Sequence, residues 1–179
     1  MPNFGDALGD AAWMTSMERN SDLIVMASYA PLLVNVSPGG MEWPTDLIGF
    51  DAGRTYVSPS YWAQSLFAGH LGDGNAQSSI SDEGKRFFYS ATVSAKERVL
   101  HLKLVNASTV AQPLDVSLAG VKGASTATVT SLHGATFEAT NSVSEPETIH
   151  PVASKVAVSA GVWKHTVPAL TIEVIDVPF

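Results

Sequence analysis

The sequence predicts a mixed architecture, a helix–strand–helix piece of an α/β assembly followed by an antiparallel β-sandwich. Two observations lead there. Apolar residues recur at helical spacing and in one continuous run over the first seventy or so positions, then switch to strict alternation after a polar, glycine-bearing stretch. The 179 residues are 45% hydrophobic with a mean hydropathy of +0.14, enough for a packed core and too apolar for a disordered tail.

In the first part, Asp6 to Asn20 carries Leu8, Ala11, Ala12, Met14 and Met17 at a spacing that suits an amphipathic helix. Leu23–Ala30 is a nearly continuous apolar run, which predicts a strand buried on both faces, as in a parallel sheet covered by helices. Pro31 to Pro59 is rich in Pro, Gly and Asp and reads as one long decorated loop. From Pro59 onward a second helix is expected, with Ser60 as N-cap and Trp62, Leu66 and Phe67 near one face. A single buried strand with two helices cannot close a sheet, so this part is expected to belong to a larger α/β assembly.

The segment Gly72 to Gly84 is the expected domain boundary. Beyond it, Leu100, Leu102 and Leu104 share a face against His101 and Lys103. Leu114, Val116 and Leu118 alternate with Asp115 and Ser117. Leu170, Ile172 and Val174 alternate with Thr171 and Glu173, and Phe87, Tyr89, Ala91 and Val93 make a fourth run. With turn signals at Gly120, Gly123 and Gly134, the pattern is that of a sandwich.

Charge excludes some functions. A net charge of −7 and ten scattered Lys and Arg do not provide the clustered cations that phosphate binding needs, so no nucleic-acid partner is expected. No apolar run reaches the roughly 18 residues of a membrane span, and no membrane partner is expected. Met1–Asp6 has neither a basic n-region nor an apolar h-region. The absence of Cys excludes disulfides and a cysteine nucleophile but leaves the compartment open. The five His show no metal-ligand spacing, and no cofactor is expected.

Several stretches carry a resemblance. Gly9–Met14, Glu18–Asp22 and Met26–Asn35 resemble the late barrel region of the α-L-arabinofuranosidases of glycoside hydrolase family 51. The match continues through Trp43–Asp51 and Ser58–Gln64, and returns in Lys103–Ser108 and Val167–Val174. The resemblance implies the C-terminal end of a (β/α)8 barrel in residues 1–72 and an antiparallel β-sandwich of jelly-roll type in residues 85–179. It implies, for the full-length enzyme, exo-acting, retaining removal of terminal α-L-arabinofuranosyl groups from arabinose-containing oligo- or polysaccharides, and a homo-oligomer. Retaining glycosidases need two carboxyl groups about 5–5.5 Å apart. The two catalytic Glu motifs of the family are not found in these residues, so no catalytic residue is assigned and the piece alone is expected to be inactive.

Three residues are expected to line the arabinose pocket of the whole enzyme. Tyr29 and Asn35 bracket the end of the expected barrel strand, the end that faces the site in such barrels. Tyr29 either stacks on or donates to a sugar, or is ordinary core. Asn35 offers a donor and an acceptor to hydroxyls, or forms a turn. Trp43, in the long loop, is a sugar platform or a loop anchor. Trp13, Trp62 and Trp163 are expected in the core. Glu42, Asp46 and Asp51 are expected to cap turns or face solvent, and Glu18 to hold an ion pair near a helix end. Asn35-Val36-Ser37 and Asn106-Ala107-Ser108 match the glycosylation sequon. Two other readings remain, a non-catalytic sugar-binding or structural β-sandwich module and a barrel glycosidase of another specificity.

Overall fold

The computed structural model describes residues 1–81, 86–119, 125–159 and 161–179. Gly120, Gly123 and the C-terminal end of the expected boundary segment, Gly84 included, lie outside the described residues.

The chain opens with α1 (Phe4–Arg19). Asn3 accepts from the Asp6 backbone N–H while the Asp6 carboxylate accepts from the Asn3 N–H, a reciprocal capping box that starts the helix earlier than apolar spacing suggests. Three short strands follow, β1 (Leu33–Asn35), β2 (Ile48–Phe50) and β3 (Thr55–Val57). They form a small sheet in which β1 and β2 run parallel and β2 and β3 antiparallel. Helix α2 (Pro59–Gly69) begins one residue after Ser58, whose Oγ accepts from the Tyr61 N–H. Ser58, not Ser60, is therefore the N-cap, and Pro59 occupies the first helical position, where its missing N–H costs nothing.

Two expectations for this part are corrected. Leu23–Ala30 forms no strand, and Val25 and Met26 are 91% and 86% exposed. A strand buried on both faces needs strand neighbours, and these residues have none. The stretch from Pro31 to Pro59 is not one loop but contains β1, β2 and β3, strands too short to show a period of two.

The remaining strands are β4 (Gly74–Asn75), β5 (Phe87–Ser94), β6 (Val99–Asn106), β7 (Gln112–Ser117), β8 (Ser125–His133), β9 (Val152–Val158), β10 (Val162–Val167) and β11 (Thr171–Pro178). Six of them form one antiparallel sheet in the order β4-β5-β6-β11-β8-β9, and β7 pairs with β10 in a second. The alternating runs read from the sequence are these strands.

The large sheet is covered on both faces. On one, Phe87, Ala91, Leu102, Leu104, Ile175 and Val177 pack with Trp163 and Val167 of β10 and with Leu114 and Val116 of β7. On the other, Val105, Leu132, Ile172 and Val174 pack with Phe4, Leu8 and Ala11 of α1 and Leu66 and Phe67 of α2. The two helices thus share a core with the sheet. Gly134 permits this approach, because a Cβ there would meet the Phe4 ring at 2.4 Å.

The second sequon is structural. Asn106 is fully buried, and its Nδ2 donates to the carbonyls of Val110, Val167 and Pro168 at 2.9, 3.2 and 2.8 Å. Its Oδ1 accepts from the Ser108 N–H and hydroxyl, so one amide ties three chain segments together.

Candidate functional site

The residues expected to meet a sugar lie between α1 and α2 in sequence, on a part of the chain that carries many exposed apolar side chains. Leu23, Leu33 and Trp43 are 78%, 63% and 58% exposed. Scattered exposed apolar residues are ordinary, but a run of this size marks a contact surface.

Trp43 is more than half exposed and so open to a partner. Tyr29 is half-buried, and its hydroxyl donates to the Thr45 carbonyl at 3.0 Å. That bond ties the segment before β1 to the residue two beyond Trp43. Burial, then the nearby carboxylates of Asp10, Asp6 and Asp46, push the Tyr29 hydroxyl above its ordinary value, so it stays a protonated donor. Asn35 ends β1 in an exposed position, and its Oδ1 accepts from the Ser37 N–H at 2.9 Å. Gly40 packs against it so closely that an added Cβ would lie 3.0 Å from the Asn35 Cγ. Asn35 therefore does form a turn, with its Nδ2 donors still available. No hydrogen bond joins the three side chains to one another among the described residues.

The acids around them divide sharply. Asp51 accepts from the Gly53 and Arg54 N–H groups at 2.9 and 2.8 Å and pairs with the Arg54 guanidinium; the Gly53 bond first, and then Arg54, hold its carboxyl below the usual range. It caps a turn, as expected. Glu42 is exposed. Asp46 is corrected: it is 1% exposed, and neither carboxylate oxygen has a partner. Asp10 on α1 has one buried oxygen without a partner, and burial raises its carboxyl above the ordinary value. Trp62 Nε1 of α2 is likewise buried without a partner. The buried acid was missed because a carboxylate in a Pro- and Gly-rich stretch reads as solvated.

Asn141 was also missed. Buried in the loop after β8, it donates from Nδ2 to the Val57 and Ile149 carbonyls at 2.9 and 2.8 Å and accepts the Ile149 N–H at 2.7 Å. It thereby fixes β3, and with it the start of α2, to the sandwich.

Ion pairs cross from the helices to the sheet. Glu18 of α1 pairs with Lys103 of β6, whose side chain is fully buried, and accepts the Ser90 hydroxyl at 2.6 Å. This is the ion pair expected for Glu18. Arg19 donates to the Tyr89 carbonyl. Within the sandwich, His165 Nε2–H donates to Glu173 at 2.7 Å beside the buried Trp163. Trp62 packs partly buried against the helix-side core, whereas Trp13 is corrected: at 68% exposed it lines an open groove with Gly9, Ala12, Ser16, Arg19 and Phe88. Helical spacing places Trp13 on the face of α1 away from the sheet.

Among the described residues, no group of three or more His, Asp or Glu is placed to hold a metal ion. No described helix is long and apolar enough to cross a membrane.

Comparison with known proteins agrees over nearly the whole chain. The family model for the α-L-arabinofuranosidase C-terminal domain matches residues 1–171. A probable α-L-arabinofuranosidase A of Aspergillus niger is 32% identical over 177 residues, covering 97% of this chain and 27% of that protein. α-L-Arabinofuranosidase 1 of Arabidopsis thaliana is 32% identical over 152 residues, covering 81% of this chain and 22% of its own length. Among solved structures, the arabinose-bound GH51 α-L-arabinofuranosidase MgGH51 superposes with a TM-score of 0.88 at 34% identity, covering 98% of this chain and 27% of that one. The Thermotoga maritima α-L-arabinofuranosidase superposes at 0.87 with 18% identity, covering 100% and 39%, a likeness of fold alone. The chain spans about a quarter of the length of the first of these relatives. It belongs to the α-L-arabinofuranosidase C-terminal domain family, as the C-terminal portion of a glycoside hydrolase family 51 protein.

Proposed function

We propose that these residues are the non-catalytic C-terminal portion of an exo-acting, retaining α-L-arabinofuranosidase acting on hemicellulose and arabinan. Both catalytic carboxylates would be supplied by chain outside residues 1–179. The observation that carries this reading is the exposed run Leu23–Met26, apolar surface that a neighbouring strand layer would cover. Residues 1–72 are read as the end of a (β/α)8 barrel and residues 85–179 as a jelly-roll sandwich, the division falling between them.

In this reading Trp43 supplies an aromatic face for a sugar ring, and Asn35 donates from Nδ2 to a hydroxyl. Tyr29 acts through Thr45, holding the loop that carries Trp43 rather than spending its hydroxyl on substrate. Four of the described acids are placed where they do not replace that catalytic pair. Asp46 is sealed from any sugar, while Glu18, Glu173 and Asp51 are committed to Lys103, His165 and Arg54. The reading as a sugar-binding module is weaker, because the strand aromatics Phe87 and Trp163 are buried.

The test is Trp43→Ala in the full-length protein, assayed on an aryl α-L-arabinofuranoside. A rise in KM is expected, and unchanged kinetics would remove Trp43 from the site.

A further inference from the structure

The face of the large sheet turned toward the helices changes character along its strands. Cross-strand neighbours Phe88, Val105, Ile172 and Leu132 make an apolar row. Ser90, Lys103, Val174 and Thr130 come next, and then a polar row of Thr92, His101, Asp176 and Thr128. Helix α2 ends above this polar row with His70 as its C-cap.

His70 makes two contacts with its two ring nitrogens. Its Nδ1 lies 2.7 Å from the Leu66 carbonyl, one turn back in α2. Its Nε2 lies 3.4 Å from Asp176 Oδ2, while Asp176 Oδ1 accepts the Nδ1–H of His101 at 2.7 Å. The two imidazoles meet edge to face with centroids 5.8 Å apart.

The chemistry of these partners allows few arrangements. A carbonyl only accepts, so His70 Nδ1 must carry a proton. A neutral ring then presents a bare lone pair at Nε2 to a carboxylate oxygen, which is also only an acceptor. The imidazolium alone places a proton between them. We propose that His70 and Asp176 form a proton-operated latch: it closes the end of α2 onto the sheet when the His70 imidazolium forms, and releases it when that proton leaves.

The surrounding charges favour closure. The hydrogen bond to Asp176 is the strongest influence on His70 and outweighs burial, and the helix carbonyl at Leu66 adds to it, so the imidazolium persists above its ordinary value of 6.5. Lys103 of β6 opposes it, but the Lys103 charge is itself paired with Glu18 of α1. The C-terminal end of a helix also prefers a cation. Burial alone would raise Asp176, yet the hydrogen bonds from His70 and His101 outweigh it and leave the carboxyl below its ordinary 3.8. The latch is thus closed while Asp176 is ionised and His70 protonated, and it opens as pH rises through the raised His70 value. Opening would loosen the joint between the helical layer and the sandwich, where the chain passes from α2 through Asp73 into β4.

The experiment uses the full-length polypeptide that contains these residues. Deuterium uptake at the imidazole C2 positions, followed by mass spectrometry from about pH 5 to about pH 9, reports each histidine separately. His70 is expected to titrate above the ordinary value of about 6.5, and Asp176→Asn to return it toward that value. Amide exchange across residues 64–73, corrected for the intrinsic effect of pH, should lose protection over the same range in the natural sequence. In His70→Gln, protection there should not vary with pH. The latch is overturned if His70 titrates at or below about 6.5, or if the natural and His70→Gln proteins lose protection in parallel. Should Asp176→Asn fail to fold, those two outcomes still decide.

Discussion

Strand β11 and the run Leu23–Met26 are both rich in apolar residues, and they have opposite fates. In β11, Ile172, Val174, Ile175 and Val177 are all at most 1% exposed. In the other, Leu23, Ile24, Val25 and Met26 are 78%, 38%, 91% and 86% exposed. Apolar content would bury the uninterrupted Leu23–Met26 run first, ahead of a strand broken by Glu173 and Asp176. β11 lies between β6 and β8, with helices on one face and β7 and β10 on the other, so its apolar side chains find cover and its backbone has a strand on both sides over Thr171–Asp176. The earlier run has no strand neighbour. An apolar run states that burial is needed, and its neighbours decide whether burial occurs.

Substitutions can break or sharpen that contrast. The largest effect is expected inside the covered sheet at the buried Lys103: Lys103→Ala leaves the Glu18 carboxylate without its cationic partner and should cost about 3–5 kcal/mol in chemical denaturation. Replacing both members of that pair with apolar residues of similar volume should cost far less, because no charge is then left buried. Ile172→Ala should cost about 2–5 kcal/mol, whereas Val25→Ala in the same 179-residue chain should stay within about 0.5 kcal/mol. Equal costs would erase the distinction between the two runs. In the full-length enzyme the Val25 substitution should become measurably destabilising if chain outside these residues covers it. Gly134→Ala, which forces a Cβ against the Phe4 ring, should cost about 1–3 kcal/mol by lifting α1 from the sheet.

The smallest expected effect is on pH dependence. The folded state lowers the Asp176 carboxyl, so its contribution is fully present above the ordinary 3.8 and is lost as pH falls through the depressed folded value. The folded state raises His70, so its contribution is fully present below 6.5 and is lost as pH rises through the raised folded value. Thermal unfolding should therefore show a shallow decline on the alkaline side that His70→Gln removes.

The sandwich was legible because alternation leaves a signature in every strand whose two faces differ, and Leu100–Leu104 and Leu114–Leu118 carry it plainly. The helices were legible from spacing, although α1 begins at a capping box, Asn3 with Asp6, that apolar spacing alone does not register. What the sequence concealed was cover. Whether Trp13 faces a core or open solvent depends on what lies against the far side of α1, and nothing in its spacing encodes that. The same holds within the candidate site. Trp43 was legible as an indole in a loop and Asn35 as a turn former, but the commitment of Tyr29 to Thr45 and the burial of Asp46 arise from chain segments folding back on one another. Those contacts leave no local pattern.

The reading of this chain as a non-catalytic portion is tested most directly by expressing residues 1–179 alone beside the full-length enzyme and assaying both on a chromogenic α-L-arabinofuranoside. Release of arabinose by the full-length protein, with none above background from the 179 residues, is the expected result. Turnover by the 179 residues would place the reacting carboxylates within them and contradict the account.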